Sequence, residues 1–135
     1  MGSKFTLGVG VAWSTVRMTA QLDAARTYVA ALLSHDGDSV PYAPGAVRYE
    51  VGLKTGFSGN HLRRSLSRGP QFRMIRAIRD ESYRVEGDRV IADYLIDAGL
   101  FGRTLVTARV HETFLIPADD PRIHRIEAKI GLVGR

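Results

Sequence analysis

The chain has 135 residues, 44% hydrophobic and 24% charged, which suits one globular domain that can bury a core without covalent staples. It contains no cysteine, which excludes disulfides, thiolate nucleophiles and thiolate metal sites and fits a reducing compartment. The net charge of +5 is carried mainly by arginine, because Lys4, Lys54 and Lys129 are the only lysines.

In chain order, the apolar stretch Leu7 to Trp13 is too short to span a bilayer, and no small-residue cleavage site follows it. Residues 1–17 are expected to be a flexible tail or upstream extension, and residues 18–135 a single domain. With no secretory signal or membrane span, the expected location is the cytoplasm.

From Thr19 to Ser34 the apolar residues recur at helical spacing. Leu22, Ala25, Val29, Leu32 and Leu33 share one face, with Tyr28 at its edge and Thr19 as N-cap. A phenol on that face has two readings: core filler bonded to a backbone carbonyl, or a hydrogen-bond donor aimed into a cavity. "SHDGDS" ends the helix, and "VPYAPGA" is too rich in proline and glycine for a regular element. The run "VRYEV", residues 47–51, alternates as a short strand, with Arg48 and Glu50 opposite Val47, Tyr49 and Val51. "GLKTGFSG" reads as a loop, and "NHLRRSLSR" as a short helix stopped by Gly69-Pro70.

Four β-rich runs follow: Phe72 to Val85, Arg89 to Asp97, Arg103 to Ile116 and Arg122 to Leu132. Short connectors join them, as in an antiparallel meander. Helices first and strands after predict an α+β class with the helices on one face of a bent sheet. In "LVTARVHETFLI" the even face is Val106, Ala108, Val110, Phe114 and Ile116, interrupted by Glu112. The odd face holds Thr107, Arg109 and His111 among others. Both faces are half apolar, so both are expected to be covered, one by the core and one by a second copy of the chain.

The arginines at 63, 64, 68, 73, 76 and 79 could form a phosphate footprint. Acidic residues follow directly, and Phe72 is the segment's one aromatic, so a solvated face is the adopted reading and nucleic-acid binding a distant alternative. His35, His61, His111 and His124 lack metal-ligand spacing, and no phosphate-loop, dinucleotide or nucleophile-elbow motif occurs. No metal and no cofactor are expected.

The stretch "YVAALLSHD" and the element order resemble the nuclear transport factor 2-like superfamily, of the ketosteroid isomerase and SnoaL-like polyketide cyclase type. The resemblance covers roughly Thr19 to Ala128. It implies a cone of helices folded over a strongly curved antiparallel sheet, with an apolar pocket between them and frequent dimers. It also implies that Tyr28 stands where the family has its oxyanion tyrosine. Glu50, nine residues before Gly59, stands at the base aspartate, and His111 at the second oxyanion donor, an aspartate in the family. Glutamate for aspartate lengthens the reach of the base, and histidine for aspartate gives a donor that titrates near neutrality.

A carboxylate that takes a proton next to a carbonyl, while two donors hold the developing oxyanion, suits an isomerase or cyclase acting on a hydrophobic carbonyl compound. Glu50, Tyr28 and His111 are therefore the candidate catalytic residues, with Arg109, Thr107 and Leu32 as candidate substrate contacts. Other roles stay open. Glu50 could pair with Arg48 or an arginine of 63–79, His111 could be a core histidine, and Arg109 could merely neutralise Glu50. The alternative function is a non-catalytic ligand-binding or dimeric interaction module of the same fold.

Overall fold

A computed structural model describes residues 2–50, 53–68 and 72–133. Helix α1 spans Gly2–Ser34 and leads through a 3-10 turn at Gly37–Ser39 into β1, Tyr42–Glu50, and β2, Leu53–Gly56. Helix α2, Gly59–Arg68, precedes the long strands β3 (Ile75–Glu86), β4 (Arg89–Leu100), β5 (Arg103–Leu115) and β6 (Ile123–Leu132). The six strands form one unclosed sheet in the order β2-β1-β6-β5-β4-β3, and the two helices pack on it. The class is α+β, as the pattern of the sequence implied.

Strands β3 to β6 form the expected meander, antiparallel at each step. Strand β1, by contrast, joins β6 in parallel, and its register breaks between Tyr42 and Val47. That break explains why "YAPGA" belongs to a strand despite Pro44. Strand β2 pairs only with Arg48 to Glu50, so the proline lies on a locally unpaired edge, where its missing N–H costs no ladder bond. The expected loop after Glu50 contains β2, while Val51 of the expected strand and the Gly69-Pro70 stop lie outside the described residues.

Helix α1 starts well before Thr19. The Thr19 hydroxyl donates to the Thr15 carbonyl at 2.8 Å, a mid-helix bond in place of a cap. Residues 14–19 are exposed and add nothing to the core. The packed stripe begins at Gln21 and continues through Ala24, Ala25, Tyr28, Val29, Ala31 and Leu32, while Leu33 turns outward. Gln21 is buried, and its amide donates to the Gly87 and Ile116 carbonyls at 2.8 Å each, tying the helix to the end of the sheet. His35 closes α1 in the left-handed region at φ 62°.

The stripe packs on Val90, Val110, Phe114, Ile123 and Ile126 of the concave face. Each large aliphatic chain removed from water there contributes about 1.5–3 kcal/mol. The convex face of β4 and β5 is mixed, with Ile91, Leu95, Leu105 and Leu115 interleaved among charged and hydroxyl side chains. Asp97 pairs with Arg79 at 2.9 Å and Asp93 with His111 at 2.7 Å, and Arg109 is exposed. Exposed hydrophobics gather at the β4–β5 turn and the end of β6, at Leu100, Phe101, Leu105 and Leu132. Among the described residues no helix is long and apolar enough to cross a membrane.

Candidate active site

Between the helices and the concave face lies a cavity of about 350 Å³. Leu32 of α1, Leu62 and Leu66 of α2, Ile96 of β4 and Val110 of β5 give it apolar walls. At one wall β1 brings polar groups together. Arg48 and Glu50 are two apart on a strand and so point the same way, into the cavity. The Arg48 Nε donates to the Tyr28 hydroxyl at 3.2 Å, and its Nη1 donates to Glu50 Oε2 at 2.8 Å and to Thr55 Oγ1 at 3.0 Å. Tyr28 reaches this wall from α1, its ring held edge-on by Phe114 and Tyr42 with centroids at 5.3 and 6.4 Å.

Behind this wall sits a carboxyl group. Glu112 of β5 is completely buried, and the Tyr94 hydroxyl, which lines the cavity from β4, donates to its Oε1. Its other oxygen, Oε2, has no hydrogen-bond partner among the described residues. Burial pushes the Glu112 carboxyl up to about 7, against the opposing pull of the Tyr94 bond and the Arg48 charge. Burial likewise raises the phenols of Tyr28, Tyr42 and Tyr94, so all three are neutral O–H groups near neutral pH. Arg48 is held above its ordinary value first by the Tyr28 oxygen and then, against the cost of its own burial, by Glu112 and Glu50.

Of the residues singled out in the sequence, the fold gathers Tyr28, Glu50 and Leu32 around one cavity. It does not bring His111, Arg109 or Thr107 there. Alternation along β5 is the reason. Val110, Glu112 and Phe114 face the core, so the odd positions face out. His111 is half-buried on the convex side against Asp93, Thr107 donates to Asp97 at 2.7 Å, and Arg109 is exposed. His111 therefore lies outside the cavity lining and outside the packed core.

Three polar members of the site carried weaker signals in the sequence. Arg48 appeared there only as a partner for Glu50. Glu112 was visible as an acid breaking an apolar alternation. Tyr94 gave no signal beyond strand propensity. Among the described residues no cluster of three His, Asp or Glu side chains is placed to hold a metal ion.

Solved structures share this architecture. An LEH-like epoxide hydrolase of M. tuberculosis aligns with a TM-score of 0.69 at 20% identity, over 84% of each chain. A proposed SnoaL-like polyketide cyclase of Shewanella denitrificans aligns at 0.62 and 17%, over 82% of this chain and 90% of its own. A proposed ketosteroid isomerase of Parabacteroides distasonis aligns at 0.53 and 14%, over 79% and 84%. At such identities the likeness is one of fold, and the fold is that of the nuclear transport factor 2-like superfamily. No curated protein matches the chain. The family described as "Domain of unknown function (DUF8021)" matches residues 16–130, and the chain belongs to that family.

Proposed function

We propose that the protein binds an apolar, carbonyl-bearing small molecule in this cavity and moves a proton next to that carbonyl. The observation that carries this reading is the Tyr28–Arg48–Glu50 chain of hydrogen bonds on one wall of an otherwise apolar cavity. Arg48 occupies a lone pair of the Tyr28 oxygen and leaves the phenol's own proton for a ligand oxygen. A carbonyl placed there puts its α-carbon toward Glu50, the carboxylate on the same wall and the group that would act as general base. Charge developing on the carbonyl oxygen then falls beside Tyr28 and the cationic Arg48, in a site with little water to screen it. Arg48 thus fills the place that the sequence assigned to His111.

The 2.8 Å ion pair between Arg48 and Glu50 also supports a second reading, a binding module without turnover, because a carboxylate held by an arginine serves structure as readily as chemistry. Glu50→Gln separates the two. With a panel of cyclic and aromatic ketones, the proton-transfer reading requires hydrogen–deuterium exchange at the ligand α-carbon in the native protein. That exchange should fall by about 100-fold or more in the variant, with affinity changed little. Bound ketone without α-exchange in the native protein would refute turnover and leave the binding module. Pairing of two copies belongs to the same proposal, and sedimentation tests it.

A further inference from the structure

Proton transfer by Glu50 makes no use of Glu112, a buried carboxyl whose surroundings bear directly on Tyr28. Its cross-strand neighbours are Ala92 and Ala128, small residues that leave room above the sheet for the carboxyl group. Tyr94 donates to Oε1, and Oε2 has no hydrogen-bond partner among the described residues. The Tyr28 hydroxyl is nevertheless near enough to stabilise the ionised form. Ionisable groups act on the cluster from each packed element: Tyr28 from α1, Tyr42, Arg48 and Glu50 from β1, Tyr83 from β3 and Tyr94 from β4. Strand β6 supplies only Ala128 opposite it.

An ionised carboxylate accepts hydrogen bonds at both oxygens, and a buried one left half satisfied is costly. Tyr28 has a single proton. Its oxygen already accepts from Arg48, so the proton goes either to Glu112 or into the cavity. We propose that the charge on Glu112 sets this direction: neutral Glu112 leaves the Tyr28 proton for a ligand carbonyl, and ionised Glu112 takes it away. Glu112 is then a positioning residue acting through Tyr28. The site selects neutral ligands with an oxygen acceptor, and does so best on the acidic side of neutrality. This rests on Tyr28 being the donor to the ligand.

The test uses 2-acetylnaphthalene, a fluorescent ketone with no titrating group, and the full chain. With the carboxyl poised at about 7, its dissociation constant should rise about tenfold between pH 6 and pH 8. In Glu112→Gln the affinity should stay flat across that range, near the native acidic value. In Tyr28→Phe it should be weak and flat. In parallel, without ketone, the infrared carboxyl band that Glu112→Gln removes reports the Glu112 protonation state. Its midpoint should move to higher pH in Tyr28→Phe, where the ionised form loses a donor.

A pH dependence that persists in Glu112→Gln, or a midpoint unmoved by Tyr28→Phe, overturns the proposal. Ketone that fails to bind the native protein at any pH overturns the ligand reading instead, and the infrared midpoints still decide the coupling between the two residues.

Discussion

Replacing Glu112 by Gln should make the protein less stable in acid and more stable in mild alkali. Burial raises the carboxyl from its ordinary 4.5 to about 7, so the folded state holds this proton more tightly than the unfolded chain does. Stability from Glu112 is therefore full below about pH 4.5 and is lost as pH rises toward 7, above which the penalty is complete. At about 1.4 kcal/mol per unit of pKa, the total is about 3 kcal/mol for this fully buried group. Glutamine has the same shape, keeps an oxygen for the Tyr94 hydroxyl and never ionises. Its NH2 replaces an oxygen without a partner among the described residues, which costs about 1 kcal/mol at every pH.

The two proteins should therefore cross. Glu112→Gln is expected to be about 1 kcal/mol less stable near pH 4.5 and about 2 kcal/mol more stable near pH 8. Urea unfolding followed by far-ultraviolet circular dichroism at several pH values measures both curves. Groups elsewhere that titrate in the same range affect both proteins alike and cancel in the difference. Parallel curves would refute the reasoning, because they would mean that Glu112 titrates alike in the folded and unfolded chains.

Other substitutions probe neighbouring parts of the argument. Arg48→Leu removes the bonds to Tyr28, Glu50 and Thr55 and the cation that opposes protonation of Glu112. It should cost about 2 kcal/mol at pH 8 and less at pH 5, where Glu112 is neutral, as read from the same urea curves. His111→Ala removes a half-buried contact to Asp93 on the convex face, so stability should change by less than about 1 kcal/mol and ketone affinity should be unaltered. Gly37→Ala would put a methyl 2.2 Å from the Arg63 carbonyl oxygen in the backbone of α2. Thermal melts should register that clash as about 2 kcal/mol, because neither backbone can yield cheaply.

How much of this could be read in the sequence depended on whether a feature was local. The packed stripe of α1 and the position of Tyr28 follow from spacing along one helix, and the pairing of Arg48 with Glu50 from alternation along one strand. The meander from β3 to β6 was legible because β-branched runs and two-residue turns are contiguous signals. The parallel partnership of β1 with β6 was not. It joins residues about 80 apart, and Pro44 conceals it by sitting where the ladder is already broken.

His111 and Glu112 show the sharpest form of the problem. They are consecutive, and in a strand consecutive residues face opposite ways, so a one-residue error in alignment exchanges the core for the solvent. Strand β5 alone could not say which face is inner, since each face carries an ionisable group, Glu112 on one and Arg109 with His111 on the other. Its neighbours decide the matter. Ala92 and Ala128 flank Glu112 across the ladders, and Tyr94 stands one inward position further along β4, where its hydroxyl meets the carboxyl group. An acid in an inward register, between two residues too small to cover it, can stay buried only if other side chains bring donors to it. The phenol on β4 supplies a hydrogen bond, and the guanidinium on β1 and the nearby phenol on α1 favour the ionised form from two further directions. Support for Glu112 and construction of the cavity wall thus draw on the same residues, Tyr28, Arg48 and Tyr94. A change in the charge of Glu112 must therefore be felt at the cavity.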